Sequence, residues 1–127
     1  EQRHGGGVVR VTRLERTLVD VLHAPASAGG WEEIWRSLEM VEFFDLDAVI
    51  SYTLRLGSAL TTARVGFFLE QHREALMVED AHLDRLRQHR PRQPRYLDAD
   101  RKPGTLVASW NLIVPADVLG RTWAEVS

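Results

Sequence analysis

Leu106-Val107-Ala108-Ser109-Trp110-Asn111-Leu112-Ile113-Val114 is the stretch that decides the fold class, because it alternates with the two-residue period of a strand. Leu106, Ala108, Trp110, Leu112 and Val114 face one way, and Val107, Ser109, Asn111 and Ile113 the other. Both sets are fairly apolar, so the expectation is one strand covered on both sides. Pro103-Gly104 sets a turn before it and Pro115 ends it, after which Asp117 caps a last short helix up to Trp123.

Upstream of this stretch the period is mostly helical. Val8-Val9-Arg10-Val11 reads as a short strand, being dominated by β-branched residues. Thr12 and Glu15 then have the spacing of a capping box, opening a helix with Leu14, Leu18, Val21 and Leu22 as its buried stripe. Arg16 and Asp20 lie four apart and are expected to pair on its surface. His23-Ala24-Pro25 ends the helix. A second helix starts near Trp31, with Trp31, Ile34, Trp35, Leu38 and Val41 on one face. Asp45 caps a third helix that carries Leu46, Val49, Ile50, Thr53 and Leu56 and stops at Gly57.

The fourth helix is expected from Thr61 or Thr62 to about Arg73, burying Val65, Phe68 and Leu69. Gly66 inside it costs about 1 kcal/mol relative to alanine, so a close backbone contact is expected there. Asp80 to His89 forms a short fifth helix with Leu83 and Leu86 inward, and Pro91 and Pro94 then break regularity. Helices first and strand afterwards make the class α+β: about five helices packed on a small sheet that includes a C-terminal strand.

A chain of 127 residues with 44% apolar side chains has material for one core and little room for two. Residues 1–7, with Gly5-Gly6-Gly7, read as a linker remnant, and 8–127 as a single domain. The chain begins without Met, inside that linker, and is expected to be a fragment of a longer protein. It contains no cysteine, which excludes disulfides, thiol catalysis and Cys-rich zinc sites. A cytoplasmic location is expected, and no apolar run is long enough for a membrane-spanning helix.

The net charge of −2 hides a separation. Between Trp31 and Ala48 lie Glu32, Glu33, Glu39, Glu42, Asp45 and Asp47 against Arg36 alone. Between Arg85 and Lys102 the bases Arg85, Arg87, Arg90, Arg92, Arg95, Arg101 and Lys102 face Asp98 and Asp100. Arginines interleaved with prolines and Tyr96 suit phosphates or an acidic protein surface, so these seven residues are the candidate nucleic-acid or partner contacts.

Other constellations read as structural. Glu15 and Asp20 are five apart and do not share a helix face, which denies them a carboxylate-pair role. His4, His23, His72, His82 and His89 have no metal-ligand spacing and read as solvated. Gly5 to Gly7 precede a strand rather than a helix N-terminus, the wrong order for anion capture. Trp31 and Trp35 read as core. No catalytic residue, cofactor or metal is expected.

Val11-Thr12-Arg13-Leu14-Glu15-Arg16-Thr17-Leu18-Val19-Asp20, a proline, then Gly29-Gly30, resembles the opening of the C-terminal domain of AbiEi-type antitoxins and transcriptional regulators. Tyr52 to Leu56 followed by Arg64-Val65-Gly66-Phe67-Phe68-Leu69-Glu70 is similar to that family's second signature. Trp110-Asn111-Leu112 with Pro115 looks like its final strand, so the resemblance covers roughly Val8 to Leu119. It marks Thr12, Glu15, Arg16, Asp20, Gly30, Arg64, Gly66, Glu70 and Trp110 as family positions of structural rather than catalytic type.

The resemblance implies residues 8–127 to be the antitoxin C-terminal domain of a type IV toxin–antitoxin pair, countering a nucleotidyltransferase-like toxin without requiring a stable complex. It also implies promoter autoregulation through DNA contacts made mainly by an N-terminal winged helix-turn-helix, which is not within these 127 residues. An Arg–carboxylate network between the first and fourth helices would account for the charged signature positions. Two readings of other classes remain: a nuclease-like domain and a structural oligomerisation domain. Against the former, no Asp…Glu-x-Lys arrangement appears and Lys102 is the only lysine.

Overall fold

The structure is a computed structural model that describes residues 13–25, 30–98 and 101–120. Five helices come first: α1 (Arg13–His23), α2 (Trp31–Glu39), α3 (Leu46–Leu56), α4 (Ala59–Gln71) and α5 (Asp80–Arg87). The strands β1 (Arg95–Tyr96), β2 (Thr105–Val107) and β3 (Leu112–Val114) follow, and α6 (Ala116–Gly120) comes last. The protein is α+β, with a mixed sheet in the order β1-β3-β2. The expected strand at 8–11, the capping role of Thr12, the Gly5–Gly7 linker and the end of the last helix at Trp123 lie outside the described residues.

The helix ends follow local chemistry. Asp45 caps α3, its carboxylate accepting from the Ala48 N–H at 3.2 Å, and Gly57 ends that helix at φ 70°. Ser58 caps α4 by accepting from the Thr61 N–H at 3.1 Å, so α4 begins earlier than its apolar spacing alone indicates. In α6 the expected capping residue, Asp117, lies inside the first turn, and its carboxylate accepts from the Val118 N–H at 2.9 Å.

α4 is the centre of the helical layer. It is buried from Thr61 through Leu69 and packs against α1, α3 and α5. A helix apolar all round is what a fully surrounded position requires. α1 lies against both α3 and α4, and its buried face is therefore Glu15, Leu18, Val19 and Leu22. Leu14, placed in the stripe by its spacing, is 49% exposed. Trp35 is fully buried as expected, stacked edge-on against Phe68 with ring centroids 5.1 Å apart. Its indole N–H donates to Gln71 Oε1 at 2.7 Å, and Gln71 Nε2 donates to the carbonyls of Val118 and Leu119, latching α6 to α4.

The stretch expected to be one strand is a hairpin. Thr105–Val107 pairs antiparallel with Leu112–Val114, joined by a tight turn in which Trp110 N–H donates to Val107 O and Asn111 N–H to Ala108 O. Asn111 takes φ 53°, a left-handed conformation that asparagine tolerates well. The turn contains neither glycine nor proline, and so carries no strong breaker. Asn111 Nδ2 also donates to the Pro91 carbonyl at 2.7 Å, which holds the loop after α5 against the turn. That loop delivers Arg95–Tyr96 as a parallel partner for β3, a strand too short for any periodicity to reveal.

Candidate nucleic-acid interface

The signature positions on α4 divide into two sides of the helix. Gly66 and Glu70 are four apart and share a face, and Trp110 lies across both. A Cβ on Gly66 would sit 2.3 Å from the Trp110 ring, so only glycine permits this approach. One turn along, the buried indole donates its N–H to Glu70 Oε1 at 2.6 Å. Arg87 from α5 completes the knot, with its guanidinium 5.4 Å from the Trp110 ring centroid and 3.6 Å from Glu70 Oε2. The close contact expected at Gly66 is therefore with the hairpin turn.

Arg64 points the opposite way from α4 and is nearly fully buried. The expected link between the first and fourth helices exists, but backbone carbonyls rather than carboxylates receive the guanidinium. Nη1 donates to Leu22 O at the end of α1 at 2.9 Å; Nε and Nη2 fork onto Leu97 O after β1 at 3.1 and 2.7 Å. Burial pulls its pKa down to about 10, with Asp98 opposing that shift and Arg95 adding to it. Trp31 lies beneath the guanidinium at 5.5 Å and donates its indole N–H to Asp98 Oδ2 at 3.0 Å.

The signature residues of α1 also have partners other than those expected. Glu15 is buried, and its Oε2 accepts from the Asp45 N–H at 2.7 Å, so it serves the start of α3. Its Oε1 has no hydrogen-bond partner among the described residues. Arg16 and Asp20 do not pair directly; both meet Tyr52, whose hydroxyl donates to Asp20 Oδ1 at 2.9 Å while Arg16 sits over the ring at 5.7 Å. Gly30 precedes α2 in an extended conformation with open space where a Cβ would be, so nothing local demands glycine there.

The seven basic residues separate by role. Arg85 reaches Asp47 on α3 at 3.3 Å, Arg87 is committed to Asp84 and Glu70, and Lys102 sits 3.5 Å from Asp98. Arg90, Arg92, Arg95 and Arg101 are exposed and make no ion pair among the described residues. They border two recesses. Arg90 and Arg92, with Arg87, Gln88, Pro91 and Asn111, line one of about 420 Å³. Arg95 and Arg101 join Arg64, Leu60, Pro94, Tyr96 and Asp98 around another of about 450 Å³.

Sequence reasoning found the exposed arginines but not the part of Arg64 in the second recess. Its signal was a lone cation inside an apolar helical run, which calls for an internal partner. The histidines expected to be solvated are partly structural. His72 joins Glu39 and the Phe68 carbonyl, His23 joins Thr61, and His82 Nδ1 accepts from the Glu79 N–H at the start of α5. Among the described residues, no three His, Asp or Glu side chains gather as a metal ion would require, and no helix is long and apolar enough to cross a membrane. No family model, curated protein or solved structure matches this chain.

Proposed function

We propose that this chain is a non-enzymatic antitoxin and transcriptional-regulator domain of AbiEi type, acting in the cytoplasm. In this reading it counters a nucleotidyltransferase-like toxin and supports promoter autoregulation, its exposed arginines touching the nucleic-acid backbone. The observation that carries the reading is the convergence of Gly66, Glu70 and Trp110. The resemblance draws these residue types from two separated stretches, and they meet in one contact that needs each of them. Arg90, Arg92, Arg95 and Arg101, which make no ion pair among the described residues, add a basic edge of the kind that grips phosphates without reading sequence.

A growth-rescue experiment tests the proposal. The toxin gene neighbouring this one is induced in cells carrying the chain, a Trp110→Ala variant or an empty vector. Rescue by the chain and its loss with Trp110→Ala is the expected result; growth arrest in all three strains removes the antitoxin reading. A magnesium-dependent cleavage assay distinguishes the nuclease alternative, which gains only if activity appears and a single carboxylate substitution abolishes it.

A further inference from the structure

Among the described residues, the recess bounded by Arg64, Arg95, Tyr96 and Arg101 holds three cationic side chains against one carboxylate, Asp98. Asp98 is itself engaged, its Oδ2 accepting from the Trp31 indole and lying 3.5 Å from Lys102. Arg64 is rigid: its three hydrogen bonds to Leu22 O and Leu97 O fix the guanidinium plane. A guanidinium carries five N–H donors, so Arg64 keeps two without a partner among the described residues. Arg95 and Arg64 repel each other across this space, which an anion seated between them would relieve. Arg101 closes the recess from a left-handed backbone position, φ 58°. Tyr96, partly exposed beside Arg95, offers a ring face.

We infer that this recess is a phosphomonoester site, taking the terminal phosphate of a nucleotide between Arg64, Arg95 and Arg101 while its base lies against Tyr96. A monoester is favoured over a chain-internal phosphate because it is dianionic near neutral pH and presents three oxygens to donors on several sides. The ring face suits a base of any identity, since stacking is tolerant of sequence. The pocket volume of about 450 Å³ is that of a small-molecule site rather than of a groove for a duplex. The inference goes beyond the regulatory reading and does not depend on it. Ligand-bearing phosphate has two natural sources, a free nucleotide or the 5′ end of a nucleic acid.

Isothermal titration calorimetry with the 127-residue chain separates these. The probes are adenosine 5′-monophosphate, adenosine, and one short single-stranded oligonucleotide with and without a 5′-phosphate. The phosphorylated member of a pair is expected to bind more tightly by about tenfold or more, with inorganic phosphate competing. That preference should vanish in Arg95→Ala/Arg101→Ala, whose exposed sites leave folding intact, and persist in Arg36→Ala. Preference in the nucleotide pair assigns the free ligand, and preference in the oligonucleotide pair alone assigns the chain end. Equal affinity within both pairs, absence of binding, or a preference that survives the double substitution overturns the site.

Discussion

At Gly66 two opposed effects meet, and their magnitudes decide the outcome of a substitution. Alanine is the better helix former by about 1 kcal/mol, but its Cβ would lie 2.3 Å from a fully buried tryptophan ring. Overpacking of this kind costs about 1–3 kcal/mol, and displacing the ring also breaks the bond to Glu70. Gly66→Ala is therefore expected to lower stability by roughly 2 kcal/mol in urea denaturation, whereas Gly30→Ala, which meets nothing within 4 Å, is expected to be near neutral. A Gly66→Ala protein as stable as the parent would remove the knot from this account. Tyr52 supplies a second residue-scale prediction. The hydrogen bond to Asp20 holds its phenol above the usual value of 10, so the folded chain retains that proton where the unfolded chain has lost it. The stabilisation is complete below pH 10 and fades as pH rises through the higher folded value. In alkaline spectrophotometric titration, Asp20→Asn should bring this late phenol transition down.

At the scale of the element, the hairpin turn rests on Asn111. Asn111→Ala loses both the left-handed preference and the bond to Pro91 O, and should cost about 2 kcal/mol; Asn111→Gly loses only the bond and should cost about half as much. Reversal of that order in urea unfolding would show that the turn conformation is not what Asn111 supplies. This turn also marks where the sequence stops being legible. Helix existence is written in apolar spacing and in signals such as the Asp45 cap and the Gly57 stop, which act within a few residues of themselves, whereas the Ser58 cap goes unread in that spacing, which places the start of α4 too late. The α+β class follows from the same local signals. A turn made without glycine or proline leaves alternation unbroken, so two strands look like one. The two-residue β1 is defined only by its partner β3, at a distance the sequence pattern does not encode. The same holds at the site. Exposed arginines are visible as a basic run, but which of them are spent on Asp47, Glu70 or Asp98 depends on tertiary neighbours. Arg64, Gly66, Glu70 and Trp110 were legible as positions, while their partners were not.

The whole molecule combines an acidic flank on α2 and the start of α3 with a basic edge along the α5–β1 loop. Contact with a nucleic acid is then expected to be oriented, the acidic side turned away from phosphate. The basic edge makes a quantitative demand. Each phosphate neutralised releases condensed counterions, so the slope of log affinity against log salt falls by about 0.9 for each duplex contact removed. Arg90 and Arg92 are exposed and carry no ion pair among the described residues, so Arg90→Ala/Arg92→Ala should leave stability within about 0.5 kcal/mol. The same double variant should flatten the salt slope of duplex binding by nearly 2. Arg87→Ala behaves differently, because that side chain covers Trp110 and sits beside Glu70. It should lose stability by about 1–2 kcal/mol, part of it packing of the arginine stem, with little change in slope. Fluorescence anisotropy across a salt series, read beside urea unfolding, separates the two behaviours. If the slope is unchanged by Arg90→Ala/Arg92→Ala while the fold is intact, the edge does not hold phosphate, and its charge must instead be met by an acidic protein surface.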